Sequence, residues 1–312
     1  MKGTIDAIEA RVIEITGRGE RGQVEGRIPP DQVRVAKTIW NRGRHTAGGS
    51  GGTQLVSAQL GAKDLFSFPK SVYAVRDCLD VAIGDRRDAL ILDYFAGSGT
   101  TLNATCLLNA RDNGTRQSII VTNNEISPKR AAKLSKEGYY RGDEAFERHG
   151  VFRAVAKPRC EAAVSGVRPD GAPVEGAYLD GRAYADGFEE NVEFFTLDYL
   201  DPDDLDLRRC FPSIHPLLWL ASGARGERPT VNDDVPYLLV PDCGYAILFD
   251  EDASRDFEDA LAEADAEAIK RVFVVTDSDE AYAEMRSRLP TNVQATMLYR
   301  DVLRHFRRRT SS

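Results

Sequence analysis

Residues 89–125 admit few folds. ALILDYF (89–95) is a short apolar run closed by an acid and two aromatics, and AGSGTT (96–101) follows it directly. A run of that length bounded by glycines reads as a strand. Residues 100–110 read as a helix, and SIIVTNNE (118–125) reads as a second, buried strand. Strand, glycine loop, helix, strand is a β-α-β unit, and two strands joined by a helical crossover lie parallel. The chain is therefore expected to be α/β.

Around this unit the chain has room for about two domains of roughly 150 residues each, at 312 residues in all. With 42% apolar and 29% charged residues it reads as a soluble globular protein. No apolar stretch approaches the roughly 18 residues of a membrane span, and the start MKGTIDAIEARVIE lacks the apolar segment of a secretory signal. A cytoplasmic protein with no membrane contact is expected. Cys78, Cys106, Cys160, Cys210 and Cys243 are scattered, as are His45, His149, His215 and His305. No metal site and no disulfide framework is expected from that spacing.

The net charge of −8 averages two unlike halves: residues 1–159 hold 25 basic against 18 acidic side chains, and residues 160–312 hold 16 against 31. A polyanion would meet the first half. Residues 5–16 have near-helical apolar spacing, VRVAKTIW (33–40) resembles a strand, and NRGRHTAGGSGGT (41–53) reads as a flexible basic loop. A helix follows FSFPKS, capped by Ser71 and carrying Val72, Val75, Leu79, Ala82 and Ile83 on one side. Residues 127–165 read as largely helical, and the turn-dense GVRPDGAPVEGAYLDG (166–181) as a boundary. Beyond it, VEFFTLDYL (192–200) alternates like a strand, and YLLVPDCGYAILFD (237–250) reads as two strands joined by a tight turn. RVFVVT (271–276) and NVQATML (292–298) read as strands, with helices near 254–266 and 279–288. The expected division is a target-side remnant at 1–60, a core at 61–165 and an acidic α/β region at 166–312.

The glycine loop carries the chemistry. Gly97 and Gly99 allow a tight turn and close approach of a ligand to backbone, and the following helix N-terminus presents free N–H groups to an anion. A phosphate loop would need a Lys after the last glycine, where Thr100 stands, and a dinucleotide fingerprint needs a small residue where Leu102 stands. Asp93, at the strand tip, repels phosphate and accepts from an ammonium. S-adenosylmethionine unites an ammonium, a carboxylate and a sulfonium. Its carboxylate would lie at the helix mouth, its ammonium near Asp93, and its ribose hydroxyls near Glu125, one carboxylate accepting from both.

FAGSGTT after an apolar strand resembles the S-adenosylmethionine-binding motif of amino-directed DNA methyltransferases, and FSFPKS (66–71) resembles the segment preceding it in their permuted class. TIWNRGRHTAGGSGGTQL, LLNARDNGTRQSIIVTNNE, KLSKEGYYRGDEAFERHGVFRAVAKPRCEAAVSG and GFEENVEFFTLDYLD are similar to type III modification-type adenine-specific methyltransferases. The resemblance implies a partial Rossmann-like methyltransferase sheet followed by a C-terminal α/β region. It places Asp93, Phe95, Gly97, Ser98, Gly99 and Thr100 around the methionine moiety, Glu125 at the ribose, and Lys70 and Ser71 beside the methionine carboxylate. Such enzymes also carry an (Asp/Asn/Ser)-Pro-Pro-(Tyr/Phe/Trp) tetrapeptide, which binds the target amine and stacks on a flipped-out base. Here Ile28-Pro29-Pro30-Asp31 has neither the leading polar residue nor the closing aromatic, and Asp201-Pro202-Asp203 does not fit.

In the permuted order the tetrapeptide belongs before Met1. The chain therefore reads as a cofactor-binding half, inactive alone, with no catalytic residue of its own. Its implied partners are DNA, an N-terminal methyltransferase half or second subunit, and a restriction subunit. Arg42, Arg44 and Lys63 are candidates for phosphate contact. A non-catalytic remnant that docks a restriction or helicase subunit is the alternative. A nicotinamide oxidoreductase fits less well, because Leu102 spoils the fingerprint.

Overall fold

A computed structural model describes residues 14–18, 24–27, 39–197, 207–230, 235–264 and 268–298. The chain forms two compact units, residues 1–194 and 195–312. The described residues are mixed α/β, with parallel strands in two small sheets. No described helix is long and apolar enough to cross a membrane.

The first unit begins with an antiparallel ribbon, β1 (Glu14–Arg18) and β2 (Val24–Arg27). The expected helix over 5–16 thus ends in a strand, its first nine residues lying outside the described ones, as does most of the expected strand at 33–40. Helix α1 (Thr53–Leu60) closes at Gly61, in the left-handed region. Helix α2 (Val72–Ile83) starts at Ser71, whose hydroxyl accepts from the Tyr73 N–H at 3.3 Å. Val72 and Tyr73 are buried and Val75 and Leu79 partly so, while Ala82 faces out.

Strand β3 (Leu90–Asp93), helix α3 (Thr100–Asp112) and strand β4 (Gln117–Ile120) make the expected β-α-β unit. The strands are parallel, with Leu92 opposite Ile119 and Asp93 opposite Ile120. Every residue from Thr100 to Asn109 is buried, because α2, the later helix Lys157–Ser165 and β4 all pack on α3. A fully buried side chain such as Leu108 contributes about 1.5–3 kcal/mol.

Burial of the two strands departs from expectation. Ile91 is 7% exposed, whereas Leu90 and Leu92 are 64% and 65% exposed, and Ile119 is also open. Successive strand residues point to opposite faces. One face of this two-stranded sheet lies on the core, and the other is bare and apolar.

Helices α4 (Pro128–Lys136), α5 (Glu144–Glu147) and α6 (Lys157–Ser165) follow, α6 continuing a wide helical turn over Phe152–Ala156. The turn-dense residues 166–181, read as a boundary, lie inside the first unit. Val174 and Tyr178, with Tyr184 and Phe188 after them, pack into the same core as Leu55, Val72 and Leu107. The break between units falls at Phe194, and of the strand expected at 192–200, residues 192–197 form none, while 198–200 lie outside the described residues.

In the second unit the strand–turn–strand reading holds: β5 (Tyr237–Val240) pairs antiparallel with β6 (Tyr245–Leu248). Strand β6 pairs in parallel with β7 (Arg271–Val274), and β7 with β8 (Gln294–Met297). Preceding them in sequence, α7 (Leu207–Ala221) holds Pro212 and Pro216 inside a helix, which a pattern reading treats as breaks. Helices α8 (Ser254–Glu263) and α9 (Asp279–Arg288) are the crossovers. Tyr245, Ile247 and Phe273 pack with Phe211 and Leu218 of α7, while Ala246, Leu248, Val272 and Val274 pack with Phe257 of α8 and Met285 of α9. Covered on both faces, the central strand β6 is apolar and buried throughout, as strands inside a covered sheet usually are.

Candidate functional site

Strand β3 delivers Asp93 to the foot of the glycine loop, and hydrogen bonds lock that carboxylate. Its Oδ1 accepts from the Phe95 N–H at 3.1 Å, and its Oδ2 accepts from the Thr101 hydroxyl at 2.5 Å. The loop is also tied to the line of β4: the Val121 N–H donates to Asp93 O at 2.8 Å and the Ala96 N–H to Val121 O at 2.9 Å. Both glycines have positive φ, 53° at Gly97 and 78° at Gly99. Gly99 is the N-cap of α3, and no side chain caps that helix. First-turn N–H groups lack intrahelical partners, so this helix mouth keeps its donors and its partial positive charge of about half a unit.

Beneath the loop lies a residue that the sequence reading passes over. Arg159 of α6 is 1% exposed. Its Nε donates to Gln59 Oε1 at 2.9 Å, and its Nη1 lies 3.0 Å from Ser98 O, 2.7 Å from Ser98 Oγ and 2.9 Å from Thr100 Oγ1. Its Nη2 is buried without a hydrogen-bond partner. Burial lowers the guanidinium to about 10. The one available signal is a basic residue inside AVAKPRCEAA, whose small neighbours mark a buried helix face. The adjacent Cys160 lies so close under Gly99 that a Cβ there would meet its Sγ at 2.6 Å.

The other expected residues are placed as follows. Phe95 is 89% exposed beside Tyr94, their ring centroids 5.7 Å apart in an edge-on arrangement. Ser98 and Thr100 are buried and bound to Arg159. Glu125 is exposed five residues past β4, held there by its carbonyl, which accepts from the Val151 N–H at 2.9 Å. Its neighbour Asn124 reinforces the anchor, donating to Glu147 O at 2.7 Å and accepting from the Arg153 N–H at 3.1 Å. Phe66 of FSFPKS reaches the loop: a Cβ on Gly97 would sit 3.4 Å from its ring. Lys70 is exposed. Ser71 is buried and its hydroxyl is engaged, donating to Arg44 O at 2.5 Å as well as capping α2. Both the donor and an acceptor site of the Ser71 hydroxyl are thus taken up inside the fold.

The glycine-rich loop at 41–53 is packed, in contrast to the flexible segment expected. Gly51 and Gly52 are buried, and Gly51 O accepts from the Val72 N–H at 2.7 Å. Asp77 gathers Arg44 at 2.5 Å, His45 at 2.9 Å and Arg76 at 2.8 Å. Burial pushes the Asp77 carboxyl up, but hydrogen bonds from His45 and Arg76 and the nearby charges hold it below the usual range. Arg44 is therefore committed to an internal ion pair, while Arg42 and Lys63 stand exposed. Among the described residues no three His, Cys, Asp or Glu side chains gather in a metal-binding group.

No family model matches the chain. It is similar to the Mod subunit of the type III restriction-modification enzyme EcoPI from Escherichia phage P1, 41% identical over 101 residues, 32% of this chain and 14% of that protein. Part of it is also similar to the type II methyltransferase M.KpnI of Klebsiella pneumoniae, 34% identical over 88 residues, 28% of this chain and 20% of that protein. The StyLTI Mod subunit of Salmonella typhimurium is 37% identical over 97 residues, 31% of this chain and 14% of that protein. About a third of this chain is related to DNA methyltransferases of restriction-modification systems. The matched stretches span a fifth or less of each relative's length.

Proposed function

We propose that this chain binds S-adenosylmethionine as the cofactor-binding part of a restriction-modification DNA methyltransferase that acts on an exocyclic base amine, the 6-amino group of adenine. The observation that carries this reading is the Asp93 carboxylate set beside the uncapped mouth of α3. Both Asp93 oxygens hold one hydrogen bond each. A carboxylate oxygen has two lone-pair sites, so each retains room to accept from an ammonium. The first-turn N–H groups of α3 would receive the methionine carboxylate, with Gly99 letting the loop enter the helix directly over Cys160. Lys70 would add charge there, Phe95 would cover the methionine moiety, and Glu125 would accept from the ribose hydroxyls. The bound group supplies a methyl already activated on a sulfonium. The protein then has to align it with the amine, which contributes several kcal/mol and up to about 7–11 kcal/mol in well-oriented systems.

The tetrapeptide that would hold the target amine comes, in this reading, from a second methyltransferase half. That half would cover the bare face of Leu90, Leu92 and Ile119, since parallel sheets are normally covered on both sides. The strand–loop–helix–strand unit would then belong to a larger Rossmann-like sheet. DNA and a restriction subunit are the further partners proposed. The roles assigned to residues 1–60, 61–165 and 166–312 are functional, whereas the compact units are 1–194 and 195–312.

Calorimetry with S-adenosylmethionine tests the reading. Asp93→Ala loses a charge-assisted hydrogen bond of roughly 1.5–3 kcal/mol, or about ten- to a hundred-fold in Kd. Thr101→Val, which removes only the loop's own donor to Asp93, should change Kd about threefold or less. Unchanged affinity in Asp93→Ala removes that carboxylate from the site. Tritiated methyl transfer to unmethylated DNA should be absent with this chain alone and appear when the tetrapeptide-bearing half is added. Robust transfer by the isolated chain overturns the split, and tight cofactor binding with no transfer in either mixture favours an interaction module.

A further inference from the structure

We propose that Arg159 is a positioning residue that acts, through the glycine loop, on the carboxylate of the ligand seated at the mouth of α3. The inference rests on the S-adenosylmethionine reading and adds a source of charge to it.

Two observations carry it. First, the guanidinium fixes the loop from below. Its Nη1 holds the Ser98 carbonyl at 3.0 Å, while the N–H of that same peptide, on Gly99, donates to Ala96 O at 2.8 Å. With both ends of the peptide engaged, the chain turns into α3 in one orientation, and the N–H groups that follow keep one direction. Second, the charge has no counter-ion among its partners. Gln59, Ser98 and Thr100 are all neutral, and Nη2 is buried with no partner. An uncompensated buried charge is costly. A structural link to two hydroxyls and a carbonyl could be made by a neutral side chain. A full positive charge kept under a helix mouth that already carries about half a charge is explained by an anion arriving on the other side. The lowered pKa of the guanidinium has the same origin, burial without a carboxylate.

Arg159 acts on the carboxylate both by its charge and by orienting the N–H groups that receive it. Its loss should therefore weaken a ligand with a carboxylate far more than one without, whereas a residue that only held the fold together would weaken both alike. The test compares S-adenosylmethionine with its decarboxylated analogue, by calorimetry, on the full chain. In Arg159→Met, Kd for S-adenosylmethionine should rise tenfold or more, and Kd for the decarboxylated analogue should change less than about threefold. Arg159→Lys keeps the charge and loses the fork, so it should regain most of the S-adenosylmethionine affinity that Arg159→Met loses. If Arg159→Met does not fold, as judged by circular dichroism, Arg159→Gln, which keeps a polar group under the loop and removes the charge, carries the comparison. Equal losses for both ligands, or none for either, overturn the proposal while leaving the cofactor reading intact. Failure of the wild-type chain to bind S-adenosylmethionine overturns the cofactor reading itself, and this inference with it.

Discussion

Gly99→Ala tests the packing under the loop most directly. At φ of 78° an alanine sits in the left-handed region, at a cost of about 1–2 kcal/mol. The new Cβ would also lie 2.6 Å from Cys160 Sγ. Cys160 is on a buried face of α6, so the sulfur has little freedom to retreat, and overpacking of this kind costs about 1–3 kcal/mol. The expected loss is therefore about 2–5 kcal/mol. Cys160→Ala removes the clash, because the next neighbour of the added Cβ is Ala156 O at 3.7 Å, an ordinary contact. Alone, that change loses roughly the worth of one buried CH₂, about 0.8 kcal/mol. The double variant should recover about 1–3 kcal/mol relative to the sum of the single effects, while the backbone penalty remains. The sequence holds two tryptophans, Trp40 and Trp219, one in each unit. In a Trp219→Phe background, urea unfolding followed by Trp40 fluorescence reports the first unit. A Gly99→Ala loss under about 0.5 kcal/mol, or no relief from Cys160→Ala, refutes this packing.

Leu92→Glu should leave the unfolding midpoint of the first unit within about 0.5 kcal/mol of wild type, because the side chain is exposed, yet abolish association with the tetrapeptide-bearing half in a pull-down. A large stability loss would mean the sheet face is already covered. In the second unit, burial lowers His215 to about 4, and its Nε2 lies 2.7 Å from the Tyr245 hydroxyl. The unfolded chain, with a His near 6.5, binds the extra proton first as pH falls. Stability contributed by neutral His215 is thus complete above about pH 6.5 and is lost progressively down to about pH 4. Urea titrations at pH 7 and 5 should show a smaller acid loss in His215→Met than in wild type, and equal losses would remove His215 as a cause.

Much of the architecture was legible because it is local. The cap at Ser71, the helix from Thr100, the turn at 241–243 and the parallel strands at 271–274 and 294–297 all follow from spacing and turn chemistry within a few residues. Residues 166–181 misled for the converse reason. Turn residues mark a change of direction, and only the burial of Val174 and Tyr178 reveals that the turns fold back onto the same core. Helix α7, for which the sequence reading assigns no element, runs through Pro212 and Pro216, its Phe211, Ile214 and Leu218 packed against the sheet.

The glycine loop was determined by sequence alone, since two glycines between an acidic strand end and a helix leave the backbone few other courses. What lies under it and beside it was decided by tertiary structure. Arg159 stands 61 residues from Ser98 in sequence, and no local pattern brings a cation to a helix mouth from that distance. LILD in β3 and YAIL in β6 read alike as apolar runs, yet β6 is buried on both faces and β3 on one. Alternation along a strand is a property of its own residues, whereas burial belongs to whatever packs against it, and that partner is chosen by chain folded in from far away.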